Sequence, residues 1–325
     1  MSIFNNKVIL VTGGTGSFGK KCIYTLLKRY NPRKIIVYSR DELKQYEMQQ
    51  QFKDFRNIRF FIGDVRDKER LMMAFCDVDF ILHAAALKQV PAMEYNPVEG
   101  VKTNTIGAMN IIDAAIERNV KKVIALSTDK ACNPINLYGA TKLCSDKLFI
   151  SGNAYSGKAN TRFSVVRYGN VAGSRGSVIP FFIQKIKEGI LPITDKRMTR
   201  FFITLQQAVD FVIKRFEIMH GGELFVPKIP SVKITELARV MAPECKIKFV
   251  GIRPGEKLHE AMISEDDARN TLEFKDSYIV KPSFPWWDDK NHYKGKAVPD
   301  GFRYSSDTNK NWLEGKGLKE FLKLV

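Results

Sequence analysis

Six short apolar runs punctuate the first half of the chain, at 7–12, 34–38, 58–62, 79–84, 121–127 and 162–168. They are rich in Val, Ile and Phe and too short for helices, so they read as buried strands. Between them lie stretches with apolar positions three and four apart, notably Pro97 to Asn119 and Leu137 to Ile150, which predict amphipathic helices. Repeated strand–helix–strand order predicts an α/β fold with a parallel sheet covered by helices on both faces. In such sheets ligands sit outside the carboxyl ends of the strands.

After Asn170 the rhythm changes. Val178 to Glu188 and Thr204 to His220 read as helices, Pro192 to Arg200 as a short basic segment, and Glu223 to Val226 as a strand that rejoins the sheet. From Pro227 a smaller unit is expected, with a helix at Ile234 to Met241 and a strand at Ile247 to Val250. Arg253 to Glu260 is expected to open another helix, with Pro254 in its first turn. Residues 281–311 lack periodicity and suggest an irregular surface wrap. These readings divide the chain into a cofactor domain (1–169 and 204–226) and a smaller C-terminal substrate domain (170–203 and 227–325).

The loop after the first run sharpens the picture. Gly13-Gly-Thr-Gly16-Ser-Phe-Gly19 lies between a strand and an amphipathic helix that reaches about Arg29. Glycines at 13, 16 and 19 permit a tight turn, close approach of backbone to a pyrophosphate and close helix–strand packing, and the helix N-terminus offers free N–H groups to phosphate. This is the fingerprint of a doubly wound, Rossmann-like dinucleotide site. The second strand ends at Ser39-Arg40-Asp41. An Arg there suits the 2′-phosphate of NADP, whereas an acidic residue suits the ribose hydroxyls of NAD. Asp41 serves either the ribose or the cap of the next helix. Asp64, at the third strand end, is placed for the adenine amino group. Ala84, Ala85 and Ala86 have side chains small enough for a cofactor to lie against the backbone. His83 is read as a structural strand-end residue.

The fifth run ends in Ser127-Thr128-Asp129-Lys130, and Tyr138 and Lys142 follow four residues apart on a helix, hence on one face. A nearby Lys⁺ favours the phenolate of Tyr138 as a base. An acid, a second base and a phenol in one pocket exceed what hydride transfer needs and suit one that also expels a leaving group.

Composition excludes other classes. Hydrophobic content of 44% and charged content of 27% are those of a soluble protein. No apolar run has the length of a membrane span and no leader precedes the first strand, so a cytoplasmic location is expected. The five cysteines are scattered and the histidines number four, which suggests free thiols in a reducing compartment and no metal site. The net charge of +17 comes from dispersed Lys and Arg without a basic tail. It reads as attraction for phosphorylated ligands rather than nucleic acid.

The glycine loop, Asp64-Val65, Tyr138–Lys142 and Arg253-Pro-Gly-Glu256 together resemble the extended short-chain dehydrogenase/reductases that act on nucleotide sugars. Gly-Gly-Thr-Gly-Ser-Phe-Gly, Tyr-Ser-Arg-Asp-Glu, Ala-Ala-Ala-Leu-Lys88-Gln-Val-Pro and Ser-Thr-Asp-Lys-Ala narrow this to the inverting UDP-N-acetylglucosamine 4,6-dehydratases. Retaining sugar-nucleotide dehydratases carry Asp-Glu where this chain has Asp129-Lys130. The likeness runs from about residue 5 to about residue 313.

The resemblance implies an NADP-dependent hydro-lyase that oxidises C4, eliminates water across C5/C6 and returns the hydride to C6 with inversion at C5. NADP would stay tightly bound and be recycled in each turnover. Thr128 would orient the C4 oxygen, Tyr138 take its proton, and Lys142 lower the Tyr138 pKa and hold the nicotinamide ribose. Lys130 would remove the C5 proton, and Asp129 would protonate the departing C6 hydroxyl. Burial and the Lys142 charge are expected to keep Lys130 neutral. Tyr138 is a plausible donor of the final proton to C5. The cofactor set would be Gly13, Thr15, Gly16, Ser17, Phe18, Gly19, Ser39, Arg40, Asp41, Lys44, Asp64, Val65, Ala84, Ala85, Ala86, Lys88, Tyr138 and Lys142. The UDP-N-acetylglucosamine set would be Lys88, Asn170, Val171, Arg175, Thr194, Arg200, Arg253 and Glu256. The resemblance further implies pseudaminic acid biosynthesis for flagellin glycosylation. It also implies a dimer-based homo-oligomer, up to a hexamer, built on helices near 97–118 and 137–152. Open alternatives are a 4-epimerase, a dehydratase that also epimerises C3, and a non-catalytic NADP-binding regulator.

Overall fold

The computed structural model describes residues 2–284, 287 and 293–325. The six apolar runs form β1 (Val8–Thr12), β2 (Lys34–Ser39), β3 (Ile58–Ile62), β4 (Phe80–His83), β5 (Lys122–Thr128) and β6 (Arg162–Tyr168). They pair in parallel in the order β3-β2-β1-β4-β5-β6. This is the doubly wound order, whose reversal between β1 and β4 opens a crevice at the strands' carboxyl ends. All five residues of β1 are buried, as an unbroken apolar run must be when helices cover both faces.

Leu224–Pro227 extends the sheet in parallel beside β6, as the sequence predicts. Ser277–Val280, Thr271–Glu273 and Lys296–Ala297 then add antiparallel, giving ten strands. Ile263, Tyr278, Ile279 and Tyr304 accordingly pack into the large core, although the sequence groups them with the smaller unit. A second core joins Ala172, Phe182, Leu191, Ile193, Val232, Leu237, Leu318 and Phe321.

Three local expectations change. The helix expected from Pro97 to Asn119 is Pro97–Val101, a π-turn at Lys102–Ile106, and Gly107–Glu117. Pro192 to Arg200 contains the ends of two strands, Ile190–Ile193 and Thr199–Ile203. They went unseen because neither pairs with its sequence neighbour: one partner is Lys246–Phe249, the other Ser231–Lys233. Arg253 to Glu260 forms no helix. Gly255 adopts φ +74° there, and Asn136 Nδ2 ties its carbonyl down at 2.7 Å, so the segment turns instead of coiling. The irregular 281–311 wrap is observed only in part, since 285, 286 and 288–292 lie outside the described residues.

Candidate active site

A cavity of about 900 Å³ opens at the carboxyl ends of the parallel strands. One end is built from backbone. The helix Ser17–Arg29 begins at Gly16 with no side-chain cap, so its first N–H groups stay free toward the cavity. Gly13 has φ +64°, and a Cβ there would lie 2.9 Å from the Ala85 backbone. A Cβ on Gly19 would lie 2.6 Å from the Gly14 backbone. The loop is therefore pressed between its own helix and the end of β4, a cradle that only glycine fits and that suits a dinucleotide pyrophosphate. Thr12 Oγ1 meets His83 Nδ1 at 2.8 Å and accepts from the Ala84 and Ala85 N–H groups. His83 is buried, which drives its pKa down to about 3, so it is a neutral link between strands.

At the far rim, Asp41 accepts from Lys44 N at 2.9 Å and pairs with Lys44 Nζ at 2.5 Å. It caps the helix Glu42–Gln51. Thr15 and Ser39 hydroxyls meet at 2.8 Å. Arg40 lies half exposed, 3.4 Å from Asp64. Asp64 Oδ2 pairs with Arg66 at 2.8 Å, and Oδ1 accepts from Arg66 N. The carboxylate expected to meet adenine is thus shared with two guanidinium groups.

The other end is built from buried charge. β5 ends at Thr128, and a 3₁₀ turn carries Asp129 and Lys130. The Asp129 side chain is 1% exposed. Its Oδ1 accepts from Thr128 Oγ1 and from Lys130 Nζ, both at 3.0 Å, and its Oδ2 has no partner among the described residues. Lys130 Nζ also lies 3.4 Å from Asn170 Oδ1 and 3.4 Å from Glu260 Oε1. The helix Leu137–Tyr155 presses close, because Gly139 has no Cβ: one would lie 2.2 Å from the Lys130 carbonyl. That contact brings Tyr138 into the cavity beside Thr128 and Lys130. Lys142 is buried one turn further on, near Asp146, whose Oδ2 accepts from Ser127 and Arg167.

The electrostatics differ from the sequence expectation in two respects. Burial alone would neutralise Lys130, but Asp129 and Glu260 outweigh it and hold its pKa well above the usual lysine range. The two carboxylates therefore favour the ammonium of Lys130 over the free amine. Burial also raises the Tyr138 pKa; the largest opposing influences are the Lys130 charge and a hydrogen bond with Thr128. Lys142 itself is pushed down by burial, against Asp146. Lys130 is thus a cation that acts on the phenol.

Lys88, Asn170, Val171, Arg175, Thr194, Arg253 and Glu256 all line the same cavity. Lys88 Nζ donates to the Arg175 carbonyl at 3.0 Å. Burial, then the Lys130 charge, lowers its pKa. Thr194 Oγ1 contacts Met198 Sδ at 3.1 Å. Arg200 lines the cavity too. It is buried and donates to the carbonyls of Thr199, Leu258 and Lys257 at 2.7–3.0 Å, with Glu256 at 3.6 Å. Its guanidinium thereby braces the cavity wall.

The profile of the family described as polysaccharide biosynthesis protein matches residues 9–282. An inverting UDP-N-acetylglucosamine 4,6-dehydratase of Campylobacter jejuni is 59% identical over 98% of both chains. The chain belongs to the polysaccharide biosynthesis protein family. Its kinship with the inverting dehydratases, read first from the motifs, holds over nearly the whole length. A UDP-glucose 4-epimerase of Rickettsia conorii is 42% identical over 86% of this chain and 84% of its own. Among solved structures, Pen from Bacillus thuringiensis superposes with a TM-score of 0.90 at 38% identity, covering 98% of this chain and 99% of that one.

Three site residues of this family member carry little signal in the sequence. Glu260 falls in the segment expected to be helical, yet it is 2% exposed and faces Lys130. Gly139 carries no sequence signal beyond its place after Tyr138. Asn104, in the π-turn, bonds both the N–H and the carbonyl of Leu87 at 2.9 Å and Thr141 Oγ1 at 3.1 Å. It locks the Ala84–Lys88 segment to the Tyr138 helix, and a π-turn at a site wall is a common device for aiming such a side chain.

Proposed function

We propose that this chain is an inverting UDP-N-acetylglucosamine 4,6-dehydratase, an NADP-dependent hydro-lyase. Its product would be UDP-2-acetamido-2,6-dideoxy-β-L-arabino-hex-4-ulose. The observation that carries the reading is the pair of buried Asp129 and part-buried Lys130 beside Tyr138, in the cavity that also holds the glycine cradle.

The Gly13–Gly19 loop and the Ser17 helix end hold the cofactor pyrophosphate, Ala84 to Ala86 lie along it, and Lys142 meets the nicotinamide ribose. Arg40 and Lys44 take the 2′-phosphate. Asp41 is committed to its helix cap, which favours NADP over NAD. Bound there, a nicotinamide dinucleotide supplies a hydride acceptor and donor. Arg253 and Arg175 grip the substrate diphosphate, Glu256 accepts from a ribose hydroxyl, and Asn170 and Lys88 face the sugar.

Tyr138 takes the C4 hydroxyl proton while Thr128 orients that oxygen. The Lys130 ammonium favours the phenolate for this step. Once Tyr138 is protonated, that balance is gone and Lys130 more readily passes a proton across 3.0 Å to Asp129. One transfer creates both groups the elimination needs: a neutral amine to remove the C5 proton, now acidified by the C4 ketone, and a neutral acid to protonate the departing C6 hydroxyl. The protonated Tyr138 donates the final proton to C5 from the opposite face.

The reading extends to a cytoplasmic, dimer-based assembly serving pseudaminic acid synthesis for flagellin glycosylation. Half-exposed Val98, Val101, Ile106 and Met109 on the 97–117 helices support the assembly, and among the described residues no helix is long and apolar enough to cross a membrane. Incubation with UDP-N-acetylglucosamine in D₂O is the test. The product should lose the mass of water and carry solvent deuterium at an inverted C5, and Lys130→Ala should slow turnover about 10²–10⁴-fold with cofactor affinity intact. Unchanged mass would mean an epimerase, and retained configuration at C5 would overturn the inverting assignment.

A further inference from the structure

Lys130 Nζ meets three acceptors, Asp129, Asn170 and Glu260, from three different segments. An ammonium has three N–H donors; two meet Asp129 and Asn170 as hydrogen bonds, and Glu260 Oε1 forms an ion pair at 3.4 Å. A base needs a lone pair, and one of these bonds must change. When a proton moves from Nζ to Asp129 Oδ1, one N–H breaks and one O–H forms. The neutral amine keeps two hydrogens, and the two acceptors left for them are Asn170 and Glu260.

Glu260 sits between two further cations. It is 2% exposed, Arg200 Nε lies 3.9 Å from Oε1, and Lys257 Nζ lies 3.8 Å from Oε2. Oε2 has no hydrogen-bond partner among the described residues. Its backbone is pinned as well, with the Glu260 N–H donating to Ser306 Oγ at 3.0 Å and its carbonyl accepting from the Ser306 N–H at 2.8 Å. We propose that Glu260 is the positioning residue of the C5 base, holding the Lys130 amine with Asn170 so that its lone pair faces the cavity. This rests on the assignment of Lys130 as that base.

The charged and titratable groups around Lys130 are Asp129 on its own turn, Glu260 ahead of Ala261–Ile263, Arg200 on Thr199–Ile203, Lys88 beyond β4 and Tyr138 on its helix. Asp129 and Glu260 favour the ammonium; Arg200 and Lys88 oppose it. Removing the Glu260 charge lets Lys130 give up its proton at lower pH.

The test is turnover of UDP-N-acetylglucosamine with hydrogen or deuterium at C5 by the cofactor-loaded protein, followed by NMR against pH. The C5 isotope effect on kcat reports removal of the substrate's C5 proton, the step Lys130 serves. Glu260→Gln should move the acid limb of the kcat profile down by about one unit or more and lower the plateau rate about tenfold, with cofactor affinity unchanged. Glu260→Asp, which keeps the charge but withdraws it by one methylene, should leave the limb near the wild-type position while lowering the plateau. A Glu260→Gln profile that superposes on wild type overturns the proposal; if that variant does not fold, a Glu260→Asp plateau equal to wild type overturns it instead. Lys130→Ala separates the two levels: turnover that persists there at the wild-type rate would refute Lys130 as the base, whatever Glu260 does.

Discussion

The two ends of the cavity are made of different materials. The cofactor end is mostly backbone: one seven-residue loop, one helix end and three alanines, shaped by the absence of Cβ atoms at Gly13 and Gly19. The catalytic end is buried charge. The Asp129-Lys130 turn, Arg200 and Glu260 come from three segments far apart in the chain, and Asp146 and Arg167 pair at 3.1 Å behind them. A backbone cradle tolerates neighbouring side-chain changes but not an added carbon. A charge cluster tolerates no loss of a partner, because a lone buried charge is strongly unfavourable. Binding and chemistry should therefore be separable by mutation.

Tyr138→Phe tests that separation most sharply. It should lower kcat about 10²–10⁴-fold while the cofactor dissociation constant, read by fluorescence titration, stays within a factor of two or so of wild type, since the hydroxyl faces Thr128 and Lys130 rather than the glycine loop. A matching loss of cofactor affinity would break the division. Gly13→Val attacks the opposite end. Its φ of +64° and the Ala85 backbone leave no room for a side chain, a strain of about 1–3 kcal/mol. Cofactor affinity and melting temperature should fall together; unchanged affinity would show that the loop is not the cradle. Arg40→Ala is milder and local to the rim. NADP binding should weaken about tenfold while NAD binding holds, and equal weakening of both would remove Arg40 from the 2′-phosphate.

The fold was legible wherever information is local. β1 to β6, the glycine loop and the Tyr138–Lys142 face follow from runs, spacing and turn residues within a few positions. The strands at Ile190–Ile193 and Thr199–Ile203 were not legible, since their partners lie further along the chain. The helix expected at Arg253 to Glu260 failed for a related reason: Asn136, more than a hundred residues earlier, fixes the Gly255 turn.

The same boundary runs through the chemistry. Residue identities alone named the acid, the amine and the phenol, because a reaction that expels water requires those functional groups. Their charge states were decided only by packing. The sequence pairs Lys130 with Asp129, but folding alone adds Glu260. Protonation depends on which charges lie within a few ångströms in a dry environment, and that distance is a property of the folded chain, not of the order of its residues.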